Sequence, residues 1–347
     1  MSGLRLNVLS NIASAGWLAL LQIVLVPIYI ALLGIEGYGL IGFYLTLLGN
    51  VRTLDLGLTP TMSREMARYS VRSDAAGDAR DFTRTLEVVY WLSGVVIGGL
   101  AWLAAPAIAL RWLNVGELPE RVVIDAVRSM AILMALQWPL SFYQGSLLGL
   151  QRQGLLNAVK AGMATLAAVV SVAVLWGVQR SVTLFFASQI VVAVLHVGVI
   201  AALLWRSLPH SAARPAVRPP LLVRVQGFAA GMSGIAVLSV VLTQSDKLIL
   251  SKLLTLDQFG FYTLAGVLGN ALAIVNAPIF NALFPRFTAL VAANDARAVA
   301  PLFRLASRWV AVTTVPAALV IALFSTDLLA LWTGDAGTAQ ATGPLLI

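Results

Sequence analysis

The chain has 347 residues, of which 59% are hydrophobic and 11% charged, and its mean hydropathy is +0.89; these values exclude an ordinary soluble globular domain. The net charge of +8 would suit a nucleic-acid binder, but the basic residues fall between apolar runs and read as a topology signal instead. With no cysteine, disulfides, thiol chemistry and cysteine-held metals are excluded.

A helix needs about 20 apolar residues to cross the hydrocarbon core. The sequence predicts nine such spans, at 8–33, 38–62, 86–110, 123–149, 154–177, 182–205, 228–254, 259–285 and 305–332. A tenth apolar run opens near Gly343 and the chain stops at Ile347, so a fragment of a longer protein is expected. The first run is too long for a signal peptide and lacks a small-residue cleavage site, so it reads as a retained helix. Alternating strands of barrel type do not occur, and the expected fold class is an all-α integral membrane protein.

Most of the 23 Lys and Arg lie on one set of connections, around Arg5, Arg64 to Arg84, Arg152 and Lys160, Arg206 to Arg224, and Arg286 to Arg308. The opposite set carries Glu36, Glu117, Glu120, Asp257, Asp327 and Asp335. Positive charge in short loops marks the cytoplasmic side, so a cytoplasmic N-terminus is expected. Arg64, Arg68 and Arg72 recur at i, i+4 and i+8, a basic face suited to anionic lipid headgroups.

Residues 206–227 include Pro209, Pro215, Pro219 and Pro220 and read as an extended linker. They separate a six-helix bundle, 1–205, from a second bundle, 228–347, that is incomplete in this chain. A weak internal repeat agrees. LLGIEGYGLIGFYLTLLGN from Leu32 aligns with LLTLDQFGFYTLAGVLGN from Leu253, with Gly39 on Gly260. Both halves then enter the membrane in the same direction, the parallel-repeat plan with a substrate path between them.

An ionised side chain inside a span costs at least about 2.5 kcal/mol on insertion scales and is usually functional or paired. Arg52 and Asp55 in the second span are three positions apart, within pairing reach on one face. Asp246 and Lys247 in the seventh are adjacent, about 100° apart around the axis, and need partners elsewhere. Ser239, Thr243 and Asp246 form one stripe; Thr243, Gln244, Lys247 and Ser251 form the next. This polar face suits either a water-filled cavity or an ion-pair lock with Arg52 and Asp55.

Lys160, Arg128 and Asp125 lie near span ends, where snorkelling and structural roles are expected. His196 is alone at helical spacing and reads as a hydrogen-bonded structural histidine. Gln137, Tyr143 and Gln144 flank Pro139 and suit either a polar path or carbonyls freed by the proline. No P-loop, HExxH or His/Cys cluster occurs, so neither a metal, a cofactor nor an enzyme is expected.

The opening NIASAGWLALLQIVLVPIYIALLGIEGYGLIGFYLTLLGNVRTLDLGLTPTMSREMARY, with its GxxGYG turn and LDLGL…SRE exit, resembles the Wzx-type polysaccharide flippases. PLSFYQGSLLGLQRQGLLNAV from Pro139, QSDKLILSKLLTLDQFGFYTLAG from Gln244 and PIFNALFPRFTAL from Pro278 are similar to the same family. These flippases belong to the multidrug/oligosaccharidyl-lipid/polysaccharide exporter superfamily.

The resemblance implies two six-helix bundles around a central cavity in the bacterial inner membrane. By alternating access they move undecaprenyl-diphosphate-linked oligosaccharide to the outer leaflet. It also implies lipid-linked sugar, membrane lipids, a polysaccharide polymerase and other assembly proteins as partners. On that substrate, Arg52 and Lys247 would attract the diphosphate, Gln244 and Thr243 would line the cavity, and Asp55 and Asp246 would balance charge or bind a coupling ion. A multidrug exporter of the same superfamily is the nearest alternative. A membrane-embedded enzyme or scaffold of polysaccharide assembly is the other.

Overall fold

The structure, a computed structural model, describes residues 2–53, 58–70, 76–211, 214–272, 283 and 296–346. Apart from a bridge between Asn114 and Thr255, the described residues form helices and the turns that join them. Helices satisfy every backbone N–H and C=O within the segment, which a bilayer interior demands.

The first element, α1 (Ser2–Thr53), contains two of the expected spans, separated at Gly34 with φ 76° and ψ 169°. That conformation is open essentially to glycine alone. The GIEGYG turn is thus a one-residue kink. Of the expected second span, 38–62, residues 38–53 are helical in α1, residues 54–57 lie outside the described residues, and residues 58–62 are helical in α2 (Leu58–Ser70). Next come α3 (Ala76–Ala107), a π-helical turn over Ile108–Trp112, α4 (Glu120–Gly149), α5 (Gln153–Gly177) and α6 (Val182–Ser207). Non-helical chain at 208–211 and 214–218 leads into α7 (Pro220–Leu253), which begins on a proline, where no N–H is required.

Seven helices among the described residues are long and apolar enough to span a membrane, and the chain is a multi-pass membrane protein. The expected eighth span overlaps helical residues 256–272; the rest of 259–285, except position 283, lies outside the described residues. The expected ninth, 305–332, is two helices, Ala296–Leu323 and Ser325–Thr333. Residues Gly343–Leu346 form a short 3-10 turn.

The chain divides into two compact units, Met1–Phe259 and Gly260–Ile347. In the first, α4 packs against α1, α2, α3, α5 and α6. Small residues allow the closest of these approaches, since apolar burial drives little association inside lipid and van der Waals contact decides. A Cβ on Gly149 would overlap the Ser63 carbonyl of α2, and one on Gly145 would lie 2.7 Å from Thr59 Cγ2. Beside this seam, Tyr90, Trp138, Phe142 and Tyr143 form an aromatic cluster, with Tyr90 and Phe142 centroids 5.1 Å apart.

In the second unit, Gly334 adopts φ 71° after helix Ser325–Thr333. Asp335 then caps helix Ala336–Thr342 by accepting the Thr338 N–H at 2.8 Å.

Candidate functional site

The first unit has an open-sided cavity of about 510 Å³. Its wall repeats at helical spacing on three elements: Gln137, Ser141 and Gln144 on α4, Lys160, Ala164 and Ala167 on α5, and Gln189, Ala193 and His196 on α6. Residues at i, i+3 or i+4, and i+7 share one helix face. Leu18 and Tyr44 of α1 and Thr59 of α2 line other sides. Among the polar contacts between α1 and α5, Trp17 Nε1 donates to Thr165 Oγ1 at 2.8 Å, and the Tyr29 and Ser171 hydroxyls lie 2.7 Å apart.

Lys160 therefore joins a cavity wall, about two turns into α5, where the sequence led us to expect an interfacial snorkelling role. His196 and both glutamines beside Pro139 share that wall. The i, i+7 spacing of Gln137 with Gln144, and of Gln189 with His196, is the sequence signal for it. Linear reading does not reveal that the two stripes face each other.

The polar face of α7 divides. Gln244 is half-buried and lies where a Cβ on Gly49 of α1 would come within 3.5 Å of its Nε2. Lys247 Nζ donates to Gln244 Oε1 at 3.4 Å. Further along the same stripe, buried Ser251 accepts from Trp112 Nε1 at 3.1 Å. Thr243 and Asp246 are exposed, and the Thr243 hydroxyl is spent on the Ser239 carbonyl at 2.7 Å. Arg52 lies in the last turn of α1, but its side chain and the whole of Asp55 lie outside the described residues.

At one end of the first unit, the Glu36 carboxylate accepts the N–H groups of Gly116, Glu117 and Leu118 at 2.7, 3.0 and 3.0 Å. The same loop reaches α7, because Asn114 Nδ2 donates to the Lys252 carbonyl at 2.8 Å. Asp257 stands across the loop, 3.8 Å from where a Gly116 Cβ would be. Burial, and then the negative charges of Glu36 and Glu117, push the Asp257 carboxyl above its ordinary value.

The other end is rich in arginine. Buried Glu65 pairs with Arg64 and Arg68 of α2 at 3.0 and 3.2 Å, which gives part of the expected lipid-facing basic stripe an internal partner. Arg72 lies outside the described residues. Buried Glu87 accepts from Tyr143, Trp205 and Arg84 at 2.7, 3.1 and 2.7 Å. Buried Asp81 accepts the Ala216 N–H and Arg218 Nε, both at 2.7 Å, fastening the chain before α7 to α3. Arg128 takes the expected structural part, 3.7 Å from Asp125 and 4.7 Å from the Trp102 ring.

Residues 4–291 match the family described as polysaccharide biosynthesis protein. No curated protein sequence matches the chain. Two solved structures share its fold. The first is the MATE multidrug transporter DinF-BH, solved as a complex, at 14% identity and TM-score 0.67, covering 98% of this chain and 77% of that one. The second is a MOP superfamily transporter from Pyrococcus furiosus whose binding pocket is described as of reverse polarity. It stands at 14% identity and TM-score 0.51, covering 99% of this chain and 74% of that one. The expected all-α membrane fold and the resemblance to that superfamily hold.

Proposed function

The chain belongs to the polysaccharide biosynthesis protein family, and from that premise we propose that it is a membrane transporter for undecaprenyl-diphosphate-linked oligosaccharide. It moves the lipid-linked sugar from the inner to the outer leaflet of the bacterial inner membrane by alternating access between two helical halves, with its N-terminus cytoplasmic. The observation that carries the reading is the family match over residues 4–291, in a chain whose fold is that of transporters. Oligosaccharide made on the cytoplasmic side must cross the bilayer before a polymerase and other assembly proteins extend it, and a transporter fold in this family fits that step.

In this reading Lys247 and Arg52 attract the anionic headgroup. Gln244 supplies hydrogen bonds beside them, Thr243 offers the lone pairs left on its hydroxyl, and Asp246 and Asp55 balance the cations or bind a coupling ion. Lys247 lies beside Gln244 on the face that meets α1, so movement of α7 against α1 would expose or cover it. Among the described cavity-lining residues the charged side chain is Lys160, with no carboxylate.

The test is complementation in a bacterium whose own lipid-linked sugar flippase is deleted. The chain is expected to restore surface polysaccharide, and Lys247→Ala and Arg52→Ala to lower the output at equal membrane abundance. A well-inserted wild-type chain that restores nothing overturns the transporter. Full output from both variants overturns the residue assignment alone.

A further inference from the structure

We infer that α7 is a lever pinned at its first turn and latched at its last. The loop 112–118 is the latch, and Asn114 is the residue that must let go for the seam between α1 and α7 to open on the non-cytoplasmic side. The inference deepens the transporter reading, and rests on it, by assigning the contact that gates that seam.

The last carbonyls of a helix have no partner within it, and Asn114 supplies one from outside. Its Nδ2 donates to the Lys252 and Leu254 carbonyls at 2.8 and 3.2 Å, and its own carbonyl accepts the Leu256 N–H at 3.0 Å. Two residues earlier, Trp112 Nε1 donates to Ser251 Oγ at 3.1 Å, and its ring lies 5.1 Å from Lys252 Nζ. One short loop thus grips the whole end of α7.

The strengths of the attachments decide which one parts. Glu36 ties the loop to α1 through three backbone N–H groups, and bonds to a carboxylate are roughly twice as strong as neutral ones. Asn114 is exposed and its bonds are neutral. The loop therefore stays on α1, and separation falls between Asn114 and α7.

The opposite end of α7 is held by charge and by packing. Buried Asp81 accepts the Ala216 N–H and Arg218 Nε, and the Arg218 N–H donates to Thr85 Oγ1 at 2.9 Å. Leu221 and Leu222, in the first turn, pack against the core that contains Phe82 and Leu86 of α3. Elements that move are drawn from the weakly held parts of a structure, so this end is the pivot. A swing about it uncovers Gly49, against which Gln244 lies, together with Lys247 beside Gln244.

The chain contains no cysteine, so a single thiol reports the swing. In spheroplasts expressing the full chain with Gly49→Cys, a membrane-impermeant methanethiosulfonate reagent is applied from outside and labelling is timed. Adding Asn114→Ala is expected to accelerate labelling about tenfold, the effect of losing two neutral hydrogen bonds from the closed state. Trp112→Phe keeps the ring, loses the Nε1 donor and is expected to give about fivefold. In inverted membrane vesicles, where the reagent meets the cytoplasmic face, both variants are expected to label at the parent rate. Trypsin cleavage at Arg214 or Arg218 is expected to be unchanged in Asn114→Ala, because the pivot stays docked.

The inference is overturned if neither variant accelerates labelling from outside, if the acceleration appears at the cytoplasmic face, or if Asn114→Ala also frees residues 214–218 to trypsin. Trp112→Phe decides alone where Asn114→Ala fails to insert. Labelling needs neither cargo nor transport, so the two readings fail separately. An unmoved labelling rate in a chain that complements overturns the latch, whereas failed complementation with accelerated labelling overturns the transporter.

Discussion

Gly116 donates its backbone N–H to Glu36 Oε1 at 2.7 Å across 80 residues of sequence. Glu36 lies two positions beyond the Gly34 kink, so the bend of α1 and the loop between α3 and α4 are held by one carboxylate. Asn114 continues the connection to the end of α7. An acidic residue from each copy of the internal repeat, Glu36 and Asp257, thus faces the same short loop.

Glu36→Ala removes the acceptor of three backbone N–H groups. We expect a loss of about 3 kcal/mol, since bonds to a charged acceptor are worth more than neutral ones. Thermal unfolding in detergent measures it, together with faster amide exchange at residues 116–118. Unchanged exchange there would refute the anchoring role.

Asp257 supplies a pH dependence of definite sign. Its folded-state carboxyl titrates above 3.8 because of burial first, then Glu36 and Glu117. The folded chain therefore holds this proton more tightly than the unfolded one. The stabilisation is fully present below 3.8 and is lost as pH rises through the raised value. Asp257→Asn is expected to flatten stability over that window and to be the more stable protein at neutral pH. Melting curves of both chains across the window decide it.

Gly149→Ala drives a methyl group into the backbone of α2, with Met66 Cβ at 2.8 Å and Ser63 Cα at 2.9 Å. The rigid neighbour cannot yield, and a cost of about 1–3 kcal/mol is expected. Gly162→Ala is the contrast, because nothing lies within 4 Å of a Cβ there. It is expected to gain about 0.5–1 kcal/mol from helix propensity. Equal melting temperatures for the two variants would contradict the packing of α2 on α4.

Asp81→Ala releases the segment before α7 by removing the acceptor for Ala216 N–H and Arg218 Nε. Trypsin cleavage at Arg214 or Arg218 is expected to accelerate about tenfold or more, since two hydrogen bonds to a charged acceptor are lost from the docked state. The fragment pattern on a gel is the readout. Identical cleavage rates would show that Asp81 does not hold the segment.

Much of the fold is legible in residue order. Apolar runs mark the helices, and the prolines before α7 mark a non-helical connection. Gly34 announces a break but not its form, since a turn and a one-residue kink need the same glycine. Lys160 reads as a snorkelling side chain because its place near a helix end is consistent with that role. Its neighbours on facing helices distinguish a cavity wall from the interface.

That this is a helical membrane protein follows from residue order, because a bilayer interior leaves long apolar segments no other way to satisfy their backbones. The contrast between an acidic and a basic set of connections follows from the same source. The packing of helices is what gathers Gln137, Lys160, Gln189 and His196 around one cavity. It also sets Gln244 and Lys247 on the α7 face that meets α1 while Thr243 and Asp246 stay exposed. Helical spacing specifies which residues share a face of one helix. Which faces meet depends on the close approaches that small residues such as Gly149 and Gly49 permit, and those contacts join positions far apart in the chain.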